Sequence, residues 1–123
     1  MKAIIFFGHG ARDVRWREPF DRLVDLWSKQ SPEVLAKVAF LEFMTPSLSE
    51  AVADLSLSGM NDIIIIPVFF GQGGHLRKDL PVLLENCRQQ FPKVNLSTSS
   101  AVGESDQVLQ SIIQFSMNHI LKA

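Results

Sequence analysis

The 123-residue sequence predicts an α/β fold of three layers, with a four-stranded parallel sheet in the order 2-1-3-4 between helices. Short β-rich runs alternate with amphipathic helical stretches along the whole chain, an order that calls for right-handed crossovers and a parallel sheet. The run Ile63-Ile-Ile-Ile66 shows no polar alternation, so it reads as a strand covered on both faces. Hydrophobic residues make up 46% and charged residues 20%, enough to build a packed core and far from a disordered composition. The length fits one domain spanning 1–123.

Each element has its own signal. Lys2 to Phe7 reads as a buried strand ending in Gly8-His9-Gly10. Asp13 can cap a helix to about Lys29, with Phe20, Leu23, Val24 and Trp27 along one face. Val34 to Phe43 reads as the second strand. Ser47 then caps a second helix, and Glu50 completes a capping box. Leu48, Ala51, Val52 and Leu55 form that helix's buried stripe, and Gly59 stops it.

Asp62 to Pro67 is the third strand, followed by the loop Phe69-Phe-Gly-Gln-Gly-Gly-His75, too glycine-rich to be helical. Asp79 can cap a third helix with Pro81 in its first turn. Lys93 to Ser100 is a weaker, edge-type strand. A last helix from about Glu104 to Leu121 carries Val108, Ile112 and Phe115 on one side. This is a small flavodoxin-like layout, in which ligands sit beyond the carboxyl ends of the strands where the winding reverses. Here that point lies between strands one and three.

Composition excludes several classes. A formal net charge of −1 argues against a dedicated nucleic-acid binder. The apolar stretch Ala3 to Phe7 is too short for a signal peptide. The longest apolar run, Ile63 to Phe70, is broken by Pro67, so no membrane span is expected. Cys87 is the only cysteine, which rules out an intrachain disulfide or thiolate cluster and favours the cytoplasm.

His9 follows strand one, Glu42 lies near the end of strand two, and His75 sits in the loop after strand three. Topology therefore gathers two imidazoles and a carboxylate at one sheet edge, a donor set that suits Co²⁺, Fe²⁺, Ni²⁺ or Zn²⁺. Gly8 and Gly10 around His9 permit close backbone approach of a ligand, or simply a tight turn. The bare backbone of Gly73 and Gly74 points the same way for His75. Glu42, in the apolar setting Phe40-Leu-Glu-Phe43, fits a metal ligand, a proton carrier, or an ion pair with Arg12.

Arg12, Arg15 and Arg17 follow His9, and Arg77 and Lys78 follow His75. Basic residues at helix starts reverse the usual dipole preference, which points to an anionic ligand or to an ordinary solvated face. His119, in the last helix, reads as a surface residue.

These residues fall into motifs. Gly8-His-Gly-Ala-Arg-Asp13, Phe40-Leu-Glu42 followed by Pro46, and the stretch from Pro67 to His75 with Asp79-Leu-Pro81 are together similar to the small CbiX-type sirohydrochlorin cobaltochelatases. The resemblance spans nearly the whole chain. It implies a chelatase-like fold and ATP-independent insertion of a divalent metal into a tetrapyrrole, as in cobalamin or siroheme-type biosynthesis. His9 and His75 match the metal-binding, catalytic histidines of that family, and Glu42 matches its acidic residue. Arg12, Gly10, Gly73, Gly74 and Arg77 are the candidate substrate-binding residues beside them. Co²⁺ comes from the resemblance, and Fe²⁺ or Ni²⁺ would use the same donors. The resemblance also implies a homodimer and no ATP or organic cofactor.

Two positions depart from the family pattern. Ala11 stands where serine is common and Val14 where proline is common, which bears on substrate contacts and not on the histidines. A non-catalytic metal- or tetrapyrrole-binding carrier is the alternative from a different class. A histidine phosphatase fits less well, because Gly8 occupies the position where those sites place arginine.

Overall fold

The computed structural model of the chain describes residues 1–71 and 73–122, apart from the side chain of His75. Its order is β1 (Lys2–Gly8), α1 (Glu18–Gln30), β2 (Leu35–Phe40), α2 (Leu48–Leu57), β3 (Asp62–Pro67), α3 (Gly74–Gln90), β4 (Asn95–Thr98) and α4 (Asp106–Lys122). Short 3₁₀ turns at Val14–Arg17 and Val102–Glu104 precede α1 and α4. All strand pairs are parallel and the sheet order is 2-1-3-4, as the alternation of elements predicts.

The larger core lies between the sheet and α2 with α3. Ile5, Phe7, Ile63 and Ile65 are fully covered there, together with Val52 and Leu55 of α2. The capping box forms as the sequence predicts. The Glu50 backbone N–H donates to Ser47 Oγ at 3.2 Å, and Ser47 N–H donates to Glu50 Oε1 at 2.8 Å. The predicted stripe Leu48, Ala51, Val52 and Leu55 is buried, and Gly59 ends the segment at φ +87.

On the opposite face, α1 packs Leu23, Val24 and Trp27 against Ile4 and Phe6. The register puts Ile64 beside Ile4 and Ile66 beside Phe6, so both face this side. Both are only half-buried, and β3 alternates between covered and partly covered residues. The isoleucine run is therefore sealed on one face and open along part of the other. That corrects the expectation of full cover on both sides.

Three further boundaries differ from expectation. Asp13 caps the 3₁₀ turn and not α1 itself, which starts only at Glu18. The second strand ends at Phe40, because Phe43 takes a left-handed φ of 67 and the chain turns back there. The third helix begins at Gly74, with Gly73 as an extended N-cap whose carbonyl accepts the Arg77 N–H at 3.1 Å. Pro81 thus lies inside the helix, where it removes one intrahelical bond. Finally, the apolar side of α4 is not buried: Phe115 is 75% exposed and Leu121 79%.

Candidate metal and substrate site

The ladder between β1 and β2 continues past both strand ends and sets the site. Leu41 N–H donates to the Gly8 carbonyl at 2.9 Å, and Glu42 N–H donates to the His9 carbonyl at 3.1 Å. Gly10, at φ +93, lies so close to the Glu42 carbonyl oxygen that a Cβ there would overlap it. Only glycine meets both demands. Backbone packing, not the side chains, holds these two segments in register.

The side chains then meet. His9 Nε2 stands 3.3 Å from Glu42 Oε1, with the two side chains 52% and 48% exposed. Glu42 is therefore a solvated partner of His9, and the ion pair with Arg12 considered for it does not form. Its apolar sequence neighbours do not bury it. One ion about 2.1 Å from each donor at a tetrahedral angle would separate them by about 3.4 Å. The pair is in direct contact, at a spacing that two ligands of one divalent cation would also show.

His9 also packs edge-on against Phe69, with ring centroids 6.1 Å apart. Phe69 follows β3, whose exit is tied to β1 by the Val68 N–H donating to the Phe7 carbonyl at 2.7 Å. His75 stands in the first turn of α3, the helix that leaves this same edge. The topology brings its backbone to the carboxyl edge, as predicted, although on a helix and not in a loop. Its side chain lies outside the described residues. Among the described residues no group of three or more His, Cys, Asp or Glu side chains converges.

The basic cluster after His9 divides into three cases. Arg15 bonds Asp13 through Nε at 3.1 Å and Nη2 at 2.8 Å, which holds the Asp13 carboxyl below its usual range and the Arg15 guanidinium above its own. Arg17 bonds Asp21 and the Thr45 carbonyl. Arg12 instead lies over the ring of Phe43, 4.4 Å from its centroid. Two of the three arginines of this cluster, Arg15 and Arg17, are thereby committed to neighbours, whereas the candidate substrate residue Arg12 is not among them. Arg77 and the bare backbone of Gly73 and Gly74 stand at the amino end of α3.

Two aromatic residues escaped the sequence reading. Phe43 is 56% exposed in a left-handed conformation, beside Glu42, and Phe70 is 70% exposed just after Phe69. A bulky side chain at positive φ is uncommon and concentrates at functional sites. Its signal was hidden because Phe43 sits in an apolar run that resembles continuing strand.

These features define a doubly wound α/β protein with a two-donor, aromatic-flanked site at its switch point. The CbiX family model matches residues 3–116, and the chain belongs to the CbiX family. A sirohydrochlorin cobaltochelatase from Saccharolobus solfataricus is 33% identical over 120 residues, 93% of this chain and 92% of that protein. One from Priestia megaterium is 27% identical over 112 residues, 89% of this chain, which spans only 36% of that longer relative.

Among solved structures, a CbiX protein from Marinobacter aquaeolei VT8 superposes with TM-score 0.85 at 25% identity, over 100% of both chains. The sirohydrochlorin chelatase SirB of Bacillus subtilis, solved in complex with cobalt, gives TM-score 0.79 at 17% identity over 95% of this chain and 50% of SirB, a likeness of fold.

Proposed function

We propose that this chain inserts a divalent metal, Co²⁺ in first place, into sirohydrochlorin or a related tetrapyrrole without ATP. The observation that carries this reading is the His9 Nε2–Glu42 Oε1 pair at 3.3 Å on the carboxyl edge of the sheet. The names of its relatives as sirohydrochlorin cobaltochelatases agree with it.

Insertion requires a partly dehydrated cation and the removal of two protons from pyrrole nitrogens. In this reading His9, Glu42 and His75 hold the metal as substrate. Two or three protein ligands leave coordination positions open and let the ion depart, unlike a closed four-ligand site. Once the metal has passed to the macrocycle and freed Nε2, a neutral His9 can accept a pyrrole proton there, and the neighbouring Glu42 carboxylate stabilises the imidazolium that forms. The half-exposed pair lets that proton reach solvent and lets a macrocycle approach.

The exposed rings of Phe43 and Phe70 offer stacking surface to a planar ligand. Arg12 and Arg77, with the backbone of Gly10, Gly73 and Gly74, take the carboxylates of the substrate. Residues 1–123 act as one chelatase unit, two of which form a homodimer in the cytoplasm. No helix among the described residues is long and apolar enough to cross a membrane.

The test is turnover. Purified protein with Co²⁺ and sirohydrochlorin should change the visible absorbance at a rate above the uncatalysed one and in proportion to protein. Tetrapyrrole binding without acceleration would identify a carrier instead.

A further inference from the structure

His9 stands between the continuations of two neighbouring strands. β1 lies between β2 and β3, with Gly8 level with Phe40 on one side and Phe7 level with Pro67 on the other. Carried two residues further, the second register sets Phe69 beside His9. Glu42 therefore meets the imidazole from the β2 side and Phe69 from the β3 side. His9 also lies two residues beyond Phe7, so the alternation of an extended chain turns both rings to the same face. Phe69 spans the two. Its ring centroid is 6.1 Å from that of His9 and 5.8 Å from that of Phe7, edge-on in both cases.

Phe69 is itself fixed. It is 7% exposed and shares the larger core with Phe7, Leu76 and Ala101, whereas Phe70 is turned out to solvent. Its carbonyl accepts the Gly103 N–H at 3.0 Å, and a Cβ on Gly103 would overlap the Phe70 backbone. The 3₁₀ turn Val102–Glu104, far from His9 in sequence, thus presses directly on the segment that carries Phe69.

From this we infer that Phe69 is a positioning residue that sets the His9 imidazole toward Glu42, and that the turn at Gly103 holds Phe69 for that task. The role rests on the proposed function, in which His9 holds the metal and takes a pyrrole proton. An imidazole half in solvent is otherwise free to change its χ1 rotamer and lose its alignment with Glu42. A packed aromatic wall removes that freedom without adding a polar group. Phe69 is too deeply covered to meet a macrocycle, so it acts through His9.

Phe69→Leu and Phe69→Met each keep an apolar side chain in the core and remove the ring. Three-bond nuclear magnetic resonance couplings from the His9 backbone nitrogen and carbonyl carbon to Cγ report the χ1 populations. They should show one dominant rotamer in the native chain and averaging in both variants, with Phe69→Tyr returning toward the native values. Co²⁺ alone should bind the two ring-less variants about tenfold more weakly. In turnover kcat should fall while KM for sirohydrochlorin stays within about twofold. Gly103→Ala, which displaces backbone and no side chain of the site, should reproduce the averaging. Leu55→Val, which loosens the same core on α2, should leave the couplings native. Native couplings in folded Phe69→Leu and Phe69→Met would overturn the assignment, and so would equal averaging in Leu55→Val. The couplings need neither metal nor turnover, so a chain that inserts no metal would fail the proposed function while the placing of His9 by Phe69 is still decided.

Discussion

His9 and Glu42 meet at 3.3 Å because their backbones are already bonded, Glu42 N–H to the His9 carbonyl at 3.1 Å. The site is thus an extension of the β1–β2 ladder, and its geometry is inherited from the sheet. Substitutions that disturb that backbone contact should act on metal binding without touching either donor.

Gly10→Ala is the sharpest such case. The new Cβ would meet the Glu42 carbonyl oxygen, at a φ of +93 that alanine rarely adopts. Destabilisation of about 1–3 kcal/mol is expected by denaturant unfolding. Co²⁺ affinity should fall more than tenfold by titration calorimetry at a temperature where the variant remains folded. Native Co²⁺ affinity in this variant would show that the ladder does not set the donor spacing.

Phe43→Gly separates folding from function. Glycine relieves a left-handed backbone, worth about 1–2 kcal/mol, but removes the ring under Arg12, worth about 0.5–1 kcal/mol. Stability should therefore hold or rise slightly in thermal unfolding. KM for the tetrapyrrole should increase several-fold, since the stacking surface and the support for Arg12 both go. A KM equal to that of the native chain would remove Phe43 from the substrate site.

Arg12 and Arg15 should behave differently although both belong to the basic cluster that follows His9. Arg15 is held by Asp13, whereas Arg12 lies on Phe43 beside the site. Steady-state kinetics of Arg12→Ala should show raised KM for the polycarboxylate with kcat little changed. Arg15→Ala should leave KM within about twofold, in keeping with the small worth of exposed ion pairs. Equal effects would mean that the cluster acts as a diffuse field.

That contrast marks what the sequence made legible. Hydrophobic period, the Ser47–Glu50 box and the isoleucine run were enough for the element order and the sheet order, because local signals and topology rules agree there. The switch point then placed His9, Glu42 and His75 at one edge. The fate of Arg15 and Arg17 was not legible, since side-chain pairing depends on local turns such as the one Asp13 caps. Nor was the exposure of Glu42 and Phe43, because an apolar run looks the same whether it continues as strand or folds out. The exposure of α4 was hidden for a related reason: periodicity reports which side of α4 is apolar, not whether that side is covered.

Cys87 supplies an internal control. Burial pushes its thiol pKa up, so less of it is reactive thiolate than in an exposed cysteine at the same pH. Iodoacetamide at pH 8 should label the native chain far more slowly than the chain unfolded in guanidinium. Fast native labelling would indicate that the core between α2 and α3 opens.

The most direct test of the account is the rate of Co²⁺ insertion into sirohydrochlorin by the native chain beside His9→Ala and Glu42→Gln, each checked for a native circular dichroism spectrum. The account predicts a loss of at least 100-fold for His9→Ala, the order expected when a positioned proton acceptor is removed, and a smaller but clear loss for Glu42→Gln. Full native rates in both folded variants would contradict it.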